Sequence, residues 1–94
     1  MANPGVFLSP RFRAGLKNLS AGDIERVEGA LRGVQECFGR PHVHSGISIR
    51  RLRKNVYECR AGLSLWLLFR VKQGSLEFFL AGDHDAVRAW LRNY

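Results

Sequence analysis

The hydrophobic pattern changes period midway along these 94 residues, and that switch limits the fold more than any other feature. From Phe12 to Phe38 the apolar residues recur in steps of three and four; from Ile47 to Ala81 they recur largely at every second position. A helix repeats every 3.6 residues and a strand every two, so helices come first and strands follow. In the helical half, Ser9-Pro10 reads as a helix start, with Ser as N-cap and Pro where a missing N–H is harmless. Phe12, Leu16 and Leu19 form that helix's apolar face. Ser20 followed by Asp23 resembles a capping box for a second helix. Ile24, Val27, Leu31, Val34 and Phe38 make one seam there, with Glu25, Arg26, Glu28, Arg32 and Glu36 largely outside it. Gly39 and Pro41 end the segment.

The strand half divides at its turn residues. An imperfect strand of alternating Ile47, Ile49 and Arg51 against Ser48, Arg50 and Leu52 is punctuated by Asn55. Strands over 56–61, 64–71 and 75–81 follow, joined by Ala61-Gly62-Leu63 and Lys72-Gln73-Gly74, which have the length and glycine content of hairpin turns. Alternation in the last strand sets Leu76, Phe78 and Leu80 on one face, with Ser75, Glu77, Phe79 and Ala81 on the other. Val87, Trp90 and Leu91 mark a closing helix, and Val6–Leu8 is a short edge strand. The expectation is α+β: a β-α-α-β-β-β-β-α chain forming one domain over residues 1–94, its N-terminal helical hairpin packed on one face of a small antiparallel sheet. The other face of the sheet is expected to lie open.

Charge is distributed unevenly over this plan. The chain holds 15 Lys and Arg against 8 Asp and Glu, a net charge of +7. Between residues 40 and 60 there are six basic residues and one acid, whereas each flanking segment nets only +1. A basic stripe anchored to strands is the electrostatic footprint of a polyanion, most often nucleic acid. No apolar run approaches the ~20 residues that span a bilayer. The N-terminus lacks the basic and apolar regions of a secretory signal. The two cysteines, Cys37 and Cys59, are therefore expected to be reduced thiols in a cytoplasmic protein.

Several side chains suit RNA cleavage, and each has a plainer reading beside it. Attack by a 2′-hydroxyl on the adjacent phosphate needs a base, an acid for the leaving oxygen, and positive charge on the five-coordinate phosphorus. Glu58 fits the base and His84, flanked by Asp83 and Asp85, fits the acid, with Arg60 and Arg53 as stabilisers. Glu58 equally fits a cross-strand ion pair with Arg70 or another base, and Asp83 or Asp85 equally fits a helix cap. Arg50, Arg51, Arg53, Lys54 and Arg70 suit phosphate contacts. Trp66 suits base stacking, an apolar anchor for a protein, or burial beneath the last helix. His44 is a further acid or base; as part of His42-x-His44 it is a weak metal signal, and no metal or other cofactor is expected.

The ordered combination of "RLRKNVYECRAGLSLWLLFRV" and "LAGDHDAVRAWL" resembles the RelE/ParE superfamily of type II toxin–antitoxin toxins, in particular its RelE-like translational repressors. The resemblance runs from Phe7 to Leu91 and is strongest from Leu52 to Asp85. It implies a toxin neutralised by a cognate antitoxin in a hetero-oligomer. It also implies metal-independent cleavage of mRNA on the ribosome, with rRNA contacts and no membrane association. By position, Arg60 matches a basic residue that the nucleases keep, Glu58 precedes it on the same face, and His84 with Asp85 falls in the corner before the last helix. Where the nucleases keep a strand-four arginine this chain has Trp66, which offers a phosphorane no charge. Two alternatives come with the resemblance: a ParE-like inhibitor of DNA gyrase without nuclease activity, and an inactive relative whose one partner is its antitoxin.

Overall fold

The structure, a computed structural model, describes residues 4–38 and 48–94. The described chain runs β1 (Gly5–Leu8), α1 (Pro10–Leu16), α2 (Ala21–Cys37), β2 (Ile49–Arg53), β3 (Val56–Arg60), β4 (Trp66–Lys72), β5 (Ser75–Gly82) and α3 (His84–Asn93). The helix starts follow from their caps. Ser9 Oγ accepts from the Phe12 amide with Pro10 in the first turn, and Ser20 Oγ accepts from the Asp23 amide, both at 3.1 Å. Each hydroxyl satisfies an amide that has no carbonyl partner inside its helix. The Asp23 carboxylate turns instead to Arg26, 2.9 Å away.

The five strands form one sheet in the order β1-β5-β4-β3-β2. Strands β2 to β5 are an antiparallel meander, and β1 joins its edge in parallel to β5, with Gly5 opposite Ser75. That one parallel pairing modifies the all-antiparallel expectation: β1 enters from the N-terminus and runs beside the last strand in the same direction. Gln73 and Gly74, with φ of 51° and 77°, turn β4 into β5. Two successive left-handed residues match the right-handed twist of the flanking strands.

Strand β4 lies at the centre and is buried on both sides. Leu67, Leu68 and Phe69 are consecutive and fully buried. Leu67 and Phe69 face α1 and α2, where Phe12, Val27 and Val34 join Cys59, Leu76 and Phe78 in the larger core. Phe38 closes that core edge-on against Tyr57 and Phe69, at ring distances of 5.1 and 5.6 Å. Leu68 faces the opposite way, into a second core with Phe79, Leu80, Val87 and Trp90. The second face is therefore not bare, as the sequence pattern suggested, because α3 packs across it.

Two bulges decide which residues occupy that second face. In β5 the register steps from Leu80 opposite Leu68 to Phe78 opposite Phe69, so Phe79 is an extra residue. Phe79 and Leu80 then both point toward α3, and strict alternation misassigns Leu80 and Ala81. In β2 the register steps from Arg51 opposite Tyr57 to Arg53 opposite Val56, so Leu52 and Arg53 share one partner. A one-residue insertion flips every later side chain to the other face.

Among the described residues no helix is long and apolar enough to cross a membrane. Neither cysteine is in a disulfide. Burial, reinforced by the charge of Glu58 and by Cys37, pushes the Cys59 thiol from 9.0 up to about 12. An unfolded chain ionises this thiol first, so its contribution to stability is whole below about pH 9 and fades as pH rises toward about 12. Urea denaturation across that interval should show the decline in the wild type, and Cys59→Ala, though less stable throughout, should lack this component of it.

Candidate functional site

Three rows of side chains cross the α3 side of the sheet, each fixed by strand register. The first holds Arg60 opposite Trp66 and Trp66 opposite Gly82. The second holds Arg50, Glu58, Leu68 and Leu80. The third holds Leu52 and Arg53 against Val56, then Arg70 and Glu77. Helix α3 covers the apolar part of these rows and leaves the cationic residues along its flank and at its two ends.

At the N-terminal end of α3, three of the sequence-predicted residues meet. The Arg60 guanidinium lies over the Trp66 ring, 4.4 Å from its centroid, and the His84 ring is 6.5 Å beyond at 38°. Arg60 and His84 are exposed and Trp66 is half-buried. The tryptophan thus forms the floor of the site, holding a cation flat against its π-face while the outer edge of the guanidinium stays open to a phosphate. His84 is the first residue of α3. Asp83 is the N-cap, its Oδ1 accepting from the Ala86 amide at 2.9 Å. Asp85 is exposed in the first turn, where its charge favours the helix dipole, and among the described residues it forms no ion pair. Nothing in the structure brings Asp85 to Arg60.

Glu58 departs furthest from expectation. Its side chain is 5% exposed and pairs at 2.9 Å with Arg50, which is 72% exposed. The partner is therefore Arg50 and not Arg70, because β2–β3 register sets Arg50 directly across. The pair fixes one guanidinium on the row next to that of Arg60 and occupies the carboxylate that was expected to act as base.

The remaining basic residues separate. Arg53, carried by its bulge to the α3 side, donates from Nη2 to the Leu91 carbonyl at 2.8 Å and so caps the helix's C-terminal end. It belongs to that end and not beside His84. Arg70 lies four residues along β4 from Trp66, its guanidinium 4.2 Å from the Phe79 ring centroid and its Nε 3.4 Å from Glu77. Arg51 is opposite Tyr57, toward the other face, and donates from Nε to the Arg53 carbonyl. Lys54 is exposed in the β2–β3 turn. His44 lies outside the described residues. Among those described, no group of three His, Cys, Asp or Glu converges as metal ligands. Sequence reasoning missed Arg11 and Phe79, which line a groove at the C-terminal end of α3 with Arg53, Arg70, Trp90 and Tyr94. Arg11 comes from the opposite layer and Phe79 from a bulge, so no spacing rule connects them.

No protein-family model matches the chain, and no curated protein resembles it in sequence. Solved structures do share its fold. A chain of the RelB–RelE antitoxin–toxin complex from Methanococcus jannaschii superposes with a TM-score of 0.69 at 15% identity, over 89% of this chain and 96% of that one. The YoeB dimer from Staphylococcus aureus gives 0.63 at 13% identity, over 88% and 99%. A metal-bound toxin from Helicobacter pylori gives 0.60 at 19% identity, over 89% and 98%. The chain has the RelE-like toxin fold.

Two substitutions test the geometry. A Cβ on Gly82 would sit 2.7 Å from the Ala86 Cβ, so Gly82→Ala should push the start of α3, and His84 with it, away from Trp66. The expected loss is about 1–3 kcal/mol in urea denaturation, partly restored by adding Ala86→Gly. Arg50→Ala leaves a buried carboxylate unpaired at a cost of about 1–3 kcal/mol, held to the lower part of that range because water reaches Arg50. A double-mutant cycle with Glu58→Gln should recover a favourable coupling between the two positions.

Proposed function

We propose that this chain is the toxin of a toxin–antitoxin pair and that it inhibits translation by cutting mRNA on the ribosome. The observation that carries the reading is the Arg60–Trp66–His84 cluster, in which a cation, an aromatic plane and a proton-transfer group adjoin on one accessible edge. The fold shared with RelE and YoeB structures supports the toxin role, and the antitoxin in the RelB–RelE structure supports a protein partner of that kind. The site of action would then be the cytoplasm, where ribosomes are.

In this reading the RNA backbone lies along Arg60 and Arg50. The 2′-oxygen attacks the neighbouring phosphorus, the bond from phosphorus to the 5′-oxygen breaks, and a cyclic phosphate and a free 5′-hydroxyl result. The two guanidiniums offset the charge that gathers on the equatorial oxygens. The 2′-hydroxyl releases its proton to solvent as it attacks, and His84, exposed at the start of α3, donates a proton to the departing 5′-oxygen. Glu58 is held by Arg50 and serves to fix that guanidinium, so its contribution is positional. Trp66 takes the place of a cation with a surface: it orients Arg60 and stacks against a base.

A second reading has a specific observation behind it. Trp66 stands where the resemblance sets an arginine and Glu58 is sequestered, an arrangement that suits an inhibitor acting by contact alone, on gyrase or with its antitoxin as the one partner. Cell-free translation with primer extension across the message separates the two. The nuclease reading expects cleavage that depends on ribosomes and not on added divalent metal. Arg60→Ala should reduce it about 10²–10³-fold and His84→Ala about 10²–10⁴-fold. Full protein synthesis on intact message would remove it, and supercoiling inhibition indifferent to His84→Ala would establish the contact inhibitor.

A further inference from the structure

Among the described residues the sheet ends in two unlike edges, β2 and β1. Strand β2 reads Ile49-Arg50-Arg51-Leu52-Arg53, so two copies laid along it would set arginine against arginine. Strand β1 reads Gly5-Val6-Phe7-Leu8 and carries no charge, although charged side chains are among the usual guards of an edge. Phe7 stands 64% exposed on it. A parallel ladder engages every second residue of a strand. The Ser9 amide donates to the Phe78 carbonyl at 3.0 Å, and Phe7 lies opposite Glu77, so the odd-numbered residues of β1 face β5. The amides and carbonyls of Val6 and Leu8 therefore point outward. Two outward carbonyls already accept a side chain: Leu8 from Arg13 Nε at 3.1 Å, and Pro4 from Gln35 Nε2 at 2.8 Å. The edge keeps the Val6 amide and carbonyl, the Leu8 amide, and the second lone pair of the Pro4 carbonyl.

We infer that β1 is a self-pairing edge, on which a second copy of this chain seats antiparallel about a two-fold axis at Val6. The groups the edge keeps are self-complementary about that axis. Each Val6 amide donates to the Val6 carbonyl of the other copy, and each Leu8 amide donates to the other copy's Pro4 carbonyl. The reciprocal bond, from residue 4 to the Leu8 carbonyl, is one that proline cannot make, and Arg13 supplies the donor in its place. Side chains fit the same operation. Glu77 belongs to the row of Arg70 on the α3 side, so Phe7 extends that row to the edge. Across the axis Phe7 falls opposite Gly5 of the second copy, and each ring lies over a residue that has no side chain to displace. Charge selects the occupant too: nothing on β1 favours an acidic or a basic strand, and nothing on it repels a copy. The seam is only four residues long, so the dimer is a weak one. It holds or fails independently of the cleavage chemistry.

Sedimentation velocity of the full chain, from about 10 μM to about 1 mM, should show a monomer giving way to a dimer within that range. Amide hydrogen exchange should agree: Val6 and Leu8 slow as the chain is concentrated, while Phe7, whose amide faces β5, exchanges at one rate throughout. Val6→Pro removes the central outward amide and leaves the bonds to β5 in place. Phe7→Lys sets two like charges across the axis. Each should raise the dissociation constant at least about tenfold. Val6 also packs against the core, so its variant carries the risk of misfolding; Phe7 is exposed, and Phe7→Lys decides the question where Val6→Pro does not fold. A wild type that stays monomeric at about 1 mM overturns the inference. So does a dimer that Phe7→Lys leaves intact, which would place the contact elsewhere. Growth beyond two copies overturns it as well, because β1 would then be meeting β2 of the next chain in an open array.

Discussion

Burial of β4 on both faces is the constraint on which the rest depends. Three consecutive apolar residues with no exposure require a layer above and a layer below. Helices α1 and α2 supply one, and α3 must supply the other, since Leu68 would otherwise face water. Each such side chain contributes roughly 1.5–3 kcal/mol on burial, so α3 is held to the sheet by Val87 and Trp90 against Leu68, Phe79 and Leu80. Holding α3 there is what sets His84 at one end of the helix and Leu91, with its carbonyl on Arg53, at the other.

The charged residues are arranged around that packing. Cations occupy the margins that α3 leaves uncovered, and the one buried carboxylate among the described residues is matched by an arginine that still reaches solvent. A buried acid with an exposed partner tethers that partner at low cost in desolvation for the cation. The consequence for the site is a guanidinium with restricted freedom, which an anion would meet without having to order it first. Aromatic faces treat Arg60 and Arg70 in the same way, so three of the cations on this side of the sheet are pre-positioned by contacts within the protein.

Much of this was legible in the residues. Ser9-Pro10, Ser20 and Asp83 state their caps locally, and the stripe from Ile24 to Phe38 states the buried face of α2. The strands and their turns follow from alternation and from Gly74. The proximity of Arg60, Trp66 and His84 followed as well, since each ends or begins an element on one side of the sheet. What stayed hidden depends on register. A bulge has no residue signature of its own, so alternation carried Leu80 to the wrong face and left Arg53 beside the wrong helix end. The partner of Glu58 is set by how β2 slides along β3, which no spacing within either strand records. The covering of the second face was hidden too, because a helix of ten residues does not declare against what it packs.

The parallel join of β1 to β5 bears on when such a molecule becomes functional. Gly5 waits for Ser75, and the fully buried Leu76 and Phe78 of the larger core belong to the same late strand. Contacts between segments so distant in the chain are slow to form and cannot form before both have been made. Until both segments are present the sheet lacks its last strand, and α3, with His84 at its start, has no completed face to pack against. Whatever the Arg60–Trp66–His84 edge does therefore waits for closure of the whole sheet, so it switches on with global folding and not in stages.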